Sequence, residues 1–342
     1  MHGGPLRLLT VLLGAPTYDR CMWGSGRRAG ASLVVLAALV AGTTGCGDRA
    51  TPSPAPRPTS ASASDLPTSA ASTDGNGDMV PPLPDLTSTP KPTFATPTLT
   101  PGGRVFGADM SWPQCPKGMG IRKKRTEGRP LPTAAARFIV LGLTNGPSFV
   151  ANPCLEDQVA WVKERHLRAA AYSVVSYPDK RTLSQLRDRG PFPGGTRRGA
   201  LSNVGYQAAL YNVDTMRRAG LQTPVVWIDV EPITGFDWSP DVRANAAVVQ
   251  GMERGYRDAG FRIGYYSIGS LWARVVGSLR TGAPEWRPAG DRGLGEALNR
   301  CGPDWSFGGG PAVLGQWIED HRDRNVVCPG AVHKLEDWFH QY

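Results

Sequence analysis

The chain has 342 residues and a formal net charge of +9, with 38 Lys and Arg against 29 Asp and Glu. Its positive residues are scattered apart from the run Arg122-Lys123-Lys124-Arg125, and no zinc-finger spacing, basic helix or RNP-like aromatic motif accompanies them, so a dedicated nucleic-acid binder is excluded. The length would admit two domains, but the first hundred residues hold too few large apolar side chains to offset the entropy of ordering a core.

In chain order, residues 1–46 read as an export signal. Arg27 and Arg28 precede a short apolar run, too short for a membrane span, which ends in small residues. The closing Thr43-Thr44-Gly45-Cys46 resembles a bacterial lipobox, in which Cys46 would carry the lipid and tether the protein to the outer face of the cell membrane. Cleavage after a small residue, giving a secreted protein, is the alternative. Residues 1–21 have no role in such a signal, which points to a start at Met22. Residues 47–102 are dominated by Pro, Ser and Thr and read as a disordered, extended tether.

From residue 103 to 342 short β-branched and aromatic runs alternate with helical patterns, the signature of a parallel sheet with crossover helices. Strands are expected at 105–110, 137–143, 169–175, 224–230 and 262–267, and weaker ones at 285–288, 312–317 and 325–328. Helices are expected at 155–164, 204–219, 241–258 and 269–276, with Gly220 and Gly260 as stops and Ser239-Pro240 before the third as its N-cap and first-turn pair. Residues 178–200, rich in Gly and Pro, read as an irregular surface insertion. Eight extended pieces, the first five helix-linked, predict one closed α/β barrel of the irregular (β/α)5β3 TIM type.

With Cys21 and Cys46 set aside, Cys115, Cys154, Cys301 and Cys328 remain, and export favours disulfides among them. Of the three pairings, Cys115 with Cys154 and Cys301 with Cys328 is preferred, because each pair would lie just beyond neighbouring strands. No cysteine pair has a metal-ligand spacing, and His166, His321, His333 and His340 lack partners at helical spacing, so neither a metal nor a cofactor is expected.

The strand at 224–230 carries the most informative pattern. Alternation puts Val226, Ile228 and Val230 on the face toward the helices and Val225, Trp227, Asp229 and Glu231 on the barrel axis. Two acids ~7 Å apart at the C-terminal end of an inward face are costly without a task, and that rim is where barrels place their chemistry. Asp109 occupies the corresponding place on the first strand, and Asp323, with Asp320 as competitor, follows the seventh. Trp112, Tyr177, Tyr266, Trp286 and Trp317 recur beside these acids, and flat apolar rings with polar edges suit sugars.

At these residues the chain resembles the glycoside hydrolase family 25 superfamily of lysozyme-type N-acetylmuramidases, and within it the exported glycoside-hydrolase-like barrels of actinobacteria. The resemblance runs from Gly107 to Cys328 through GADMSWPQC, NPC, WIDVEP, GYYS, GQW and DRNVVC. It implies Glu231 as the general acid, Asp229 as the group that steers a substrate N-acetyl, and Asp109 and Asp323 as sugar-holding or tuning acids. Gln316 of the GQW run would join the substrate-binding set. Its implied substrate is peptidoglycan or a related wall polysaccharide, and its implied form a monomer. Glycan binding without catalysis is the competing reading, and the segment Ser111-Trp112-Pro113-Gln114-Cys115 departs from the lysozyme pattern.

Overall fold

The computed structural model describes residues 93–96, 98–99 and 103–342. The export signal, Met22, Cys46 and nearly all of the tether lie outside the described residues. Eight strands follow one another around a closed ring: β1 (Phe106–Met110), β2 (Phe138–Gly142), β3 (Arg168–Val174), β4 (Val225–Asp229), β5 (Arg262–Tyr266), β6 (Glu285–Pro288), β7 (Ala312–Glu319) and β8 (Arg322–Val327). Neighbours from β1 to β7 are parallel, while β8 is antiparallel to both β7 and β1. The two-residue β9 (His340–Gln341) pairs with the start of β3.

The helices are α1 (Leu155–Glu164), α2 (Lys180–Leu186), α3 (Arg197–Ala219), α4 (Val242–Asp258), α5 (Gly269–Val276), α6 (Gly293–Asn299) and α7 (Leu335–Trp338). The strict (β/α)5β3 plan is therefore modified. The β1–β2 connection carries only the 3-10 turn Trp112–Gln114, and α6 stands between β6 and β7. Residues 178–200 are not an irregular insertion either. Asp179 caps α2 by accepting from the Thr182 amide at 2.7 Å, and Thr196 caps α3 by accepting from that of Gly199 at 3.0 Å. The cap of α4 is Asp241 rather than Ser239: its Oδ1 accepts from the amides of Arg243 and Ala244 at 3.1 and 3.2 Å. Gly220 ends α3 in the left-handed region at φ 64°. No described helix is long and apolar enough to cross a membrane.

Two apolar layers follow from the strand alternation. Val226, Ile228 and Val230 join the layer under the helices, whereas Val225 and Trp227 join the barrel interior with Phe138, Val140 and Trp286. α3 and α4 pack closely because a side chain at Gly205 would strike the Val248 carbonyl, and one at Gly251 that of Ser202. At the N-terminal mouth the chain's own end plugs the ring. Ala331, Leu335 and Phe339 enter the interior cluster, and the Phe339 ring lies 4.3 Å from that of Phe138. The opposite, C-terminal rim is where a ligand can enter.

Disulfides join Cys115 to Cys154 and Cys301 to Cys328. The first ties the loop after β1 to the start of α1. Part of the stretch read as tether also touches the barrel: the Arg165 guanidinium lies 4.3 Å from the Phe94 ring centroid and 4.4 Å from that of Trp161.

Candidate active site

A pocket of about 230 Å³ opens at the C-terminal rim. Asp109 from β1, Asp229 at the end of β4, Glu231 just beyond it and Asp323 from β8 all line it, together with Trp112, Tyr266, Trp286 and Gln316. Asp323 reaches this rim because β8 runs against its neighbours, so its beginning lies beside the ends of the parallel strands. Ile318 pairs with Asp323, and Gln316 with Asn325, which fixes both Asp323 and Asn325 in phase with the inward Gln316.

Asp109 is the best-supported of the four. Its Oδ1 accepts from Gln316 Nε2 at 2.8 Å and from Asn325 Nδ2 at 2.7 Å. Each amide is itself oriented: the Tyr266 hydroxyl donates to Gln316 Oε1 at 2.9 Å, and the Trp286 indole donates to Asn325 Oδ1 at 2.7 Å. Because an indole N–H can only donate, it forces the Asn325 NH₂ toward Asp109. Asp229 has the opposite surroundings. It is 4 % exposed, and its Oδ1 has no hydrogen-bond partner among the described residues. The backbone at Glu231 is pinned by the Trp238 indole, which donates to its carbonyl at 2.9 Å.

All four carboxyls are pushed above the usual carboxylate range, and burial is the leading cause in each case. For Asp109 the charge of Asp323 adds to burial, and the bonds from Gln316 and Asn325 oppose it. Glu231 and Asp109 both raise Asp229 further. Lys124 pulls Glu231 down against burial and the Asp323 charge, and Arg129 does the same for Asp323. Among the described residues these acids do not form a group that could hold a metal ion.

Two expected sugar platforms are not at the pocket. Trp317 is 3 % exposed and packs outside the ring with Ala289, Ala297 and Val326, because it follows the inward Gln316 by one residue. Tyr177 lies beyond the end of β3 against the helix-side layer, its hydroxyl accepting from Arg197 at 3.4 Å. Asp320 sits in the β7–β8 turn with φ 51° and does not line the pocket.

The pocket also contains residues not anticipated. Tyr172 lines it from β3, as do Ser111 and Lys124 from the loop after β1. Gly142 leaves room for them, since a side chain there would meet Ser111 Cβ at 2.4 Å and the Tyr172 ring at 2.8 Å. Asn152 of the NPC run holds this corner together. Its Nδ2 donates to the Gly142 carbonyl at 2.9 Å and to Gln158 Oε1 at 2.8 Å, and Gln158 in turn donates to the Ser111 carbonyl at 2.7 Å.

A buried pair lies outside the pocket. Glu285 and Arg287, 0 % and 2 % exposed at their side chains, approach to 2.8 Å. Glu285 also accepts from the amides of Phe307, Gly308 and Gly310 and from the Ser306 hydroxyl. It organises the 306–310 loop rather than the pocket.

Comparison with known proteins places a local stretch. Over 64 residues the chain is 36 % identical to a probable family 25 lysozyme of Dictyostelium discoideum, a match covering 18 % of this chain and 29 % of the relative. The sequence similarity is to glycoside hydrolase family 25. The chain thus spans under a third of that relative's length, and no model of a protein family matches it. Similar solved structures include a bacterial lysozyme from Streptomyces coelicolor, at 14 % identity and TM-score 0.43 over 69 % of this chain and 98 % of that one. A family 25 lysozyme from Aspergillus fumigatus gives 13 % identity and TM-score 0.43 over 68 % and 97 %. The spore cortex lytic enzyme SleM of Clostridium perfringens gives 11 % identity and TM-score 0.45 over 71 % of each chain.

Proposed function

We propose that the barrel is a glycoside hydrolase of the family 25 type, cleaving a glycosidic bond in peptidoglycan or a related wall polysaccharide. The observation that carries this reading is the convergence of Asp109, Asp229, Glu231 and Asp323 on one rim pocket with their protons held more tightly than usual. A carboxyl that keeps its proton near neutrality is what a general acid requires.

Glu231 gives its proton to the glycosidic oxygen as the bond to the anomeric carbon breaks. The carbonyl oxygen of a neighbouring N-acetyl group attacks that carbon, and Asp229 orients the acetamido group by accepting from its N–H. Water then opens the cyclic intermediate and returns a proton to Glu231, so the acid is regenerated. Asp109 and Asp323 hold sugar hydroxyls. Trp112 and Tyr266 supply the ring surfaces around them, while Trp286, expected as a third platform, is 1 % exposed and supports Tyr266 from the barrel interior.

The two disulfides suit an oxidising, extracytoplasmic setting. An anchor at Cys46 followed by the extended tether would let a monomeric barrel reach the wall from the membrane. Clearing of a suspension of purified sacculi tests the proposal: wild type lowers the turbidity, and Asp229→Asn slows this by about 10²-fold or more. No clearing of any wall preparation by wild type refutes it.

A second reading, glycan binding without turnover, is favoured by the burial of Asp229, which at 4 % exposure leaves little of that carboxyl open to a substrate. Saturable glycan binding with no product would select it.

A further inference from the structure

The basic run at 122–125 does not act as one charged patch. Lys123 is engaged by the 233–236 turn, donating to the Gly235 carbonyl at 3.4 Å with its ammonium 5.3 Å from the Phe236 ring centroid. Arg125 folds back onto its own loop, donating to the carbonyls of Gly118 and Gly120 at 2.8 and 3.1 Å. Lys124 faces the pocket, and among the described residues that line it Lys124 alone is cationic.

Its position is built rather than incidental. Asn145, 0 % exposed, accepts from the Ile121 amide at 2.9 Å and donates to the Lys124 carbonyl at 3.0 Å, clamping the loop on both sides of the lysine. Thr126, also buried, accepts from the Met119 amide at 2.7 Å and donates to the Pro116 carbonyl. The Lys124 stem passes over Gly146, where an added Cβ would lie 3.0 Å from Cγ, and the ammonium sits 5.6 Å from the Trp112 ring centroid.

The charge so placed is not consumed by the protein. None of the ion pairs among the described residues includes Lys124, although it acts on Glu231 through space. A cation needed only to offset the acids would be expected in contact with one of them. This one rests on an aromatic face at the mouth with its hydrogen-bonding directions open. The pocket therefore offers acceptors for hydroxyls within and a donor for an anion at its edge.

We propose that Lys124 forms an anion-accepting subsite that binds a carboxylate carried by the glycan, so that the site selects acidic over neutral sugar chains. The proposal rests on the glycan-binding part of the reading above, and its test reads binding rather than turnover. The loss of hydrolysis and the loss of this subsite are therefore distinguishable.

The experiment measures dissociation constants by tryptophan fluorescence, at low and at moderate salt, in the Glu231→Gln background so that no product forms. The probes are an N-acetylglucosamine tetramer and a peptidoglycan-derived tetrasaccharide of the same length with free carboxylates. The charged chain is expected to bind about tenfold tighter than the neutral one, a preference of about 1.4 kcal/mol, and to lose that margin as salt rises. Lys124→Met, which keeps the stem, removes the preference while leaving neutral-chain affinity within about twofold, and Lys124→Arg restores most of it. Equal weakening of both probes by Lys124→Met would mean a merely structural lysine and overturn the proposal, as would no weakening of either. A phosphodiester-bearing chain of the same length that bound tighter than the carboxylate one would overturn the assignment to carboxylate.

Discussion

The hydrogen-bond network on Asp109 makes a quantitative prediction, because two substitutions at that residue remove different things. Asp109→Asn keeps an oxygen where Gln316 Nε2 and Asn325 Nδ2 both donate, and removes a buried charge that Asp323 disfavours. Asp109→Ala removes the acceptor and strands two amide donors, which Tyr266 and Trp286 prevent from turning over. Gln316 lines the open pocket, where water can replace its lost acceptor, whereas Asn325 is 0 % exposed and does not line it. At about 1–3 kcal/mol for the stranded Asn325 donor, Asp109→Ala costs about 1–3 kcal/mol, and Asp109→Asn under about 1 kcal/mol. Urea unfolding followed by tryptophan fluorescence measures both.

The pH dependence adds a sign. With the Asp109 pKa raised in the folded state, the native protein holds more protons than the unfolded chain between the two pKa values. Stability therefore falls as pH rises from the unfolded value of about 3.9 through the folded value. The wild type should lose stability relative to Asp109→Asn over that window, and the difference between them isolates Asp109 together with the acids its charge acts on, Asp229 among them. Equal urea midpoints for the Ala and Asn variants would refute the network as the source of Asp109's placement, and a wild-type pH profile parallel to that of Asp109→Asn would refute the raised pKa.

Glu285→Ala should cost about 3–5 kcal/mol in thermal or urea unfolding, since it leaves buried Arg287 without its carboxylate. Trp317→Ala should lower stability by about 3–5 kcal/mol yet leave glycan affinity unchanged, whereas Trp112→Ala should weaken glycan binding and move the unfolding midpoint little. Replacing either disulfide with a Ser pair should cost about 3.5–4 kcal/mol from the loop entropy of the 39- and 27-residue separations, read as a lower melting temperature. Gly142→Ala should destabilise by about 1–3 kcal/mol and reduce glycan binding together, because its Cβ would push Ser111 and Tyr172 at the pocket wall.

What the sequence made legible was whatever produced a strong contrast between faces. In 225–231 every second residue changes from aliphatic to aromatic or acidic, so the inward phase of Asp229 was readable and the two apolar layers follow it. β3 reads RAAAYSV, and small residues on both faces hide the phase that turns Tyr172 inward. Trp317 was assigned by its proximity to acids, although the period of two that brings Gln316 in sends its neighbour out. Gly and Pro in 178–200 masked a short capped helix. The role of Lys124 depends on a clamp from Asn145, 21 residues later, and long-range side-chain-to-backbone bonds leave no periodic trace.

The most direct test of the central claim is the release of new reducing ends from purified sacculi by Glu231→Gln beside the wild type, with glycan affinity measured on both. Affinity is expected to be unchanged and kcat to fall by about 10²–10⁴-fold. Equal rates for the two proteins would contradict it and move the chemistry away from Glu231.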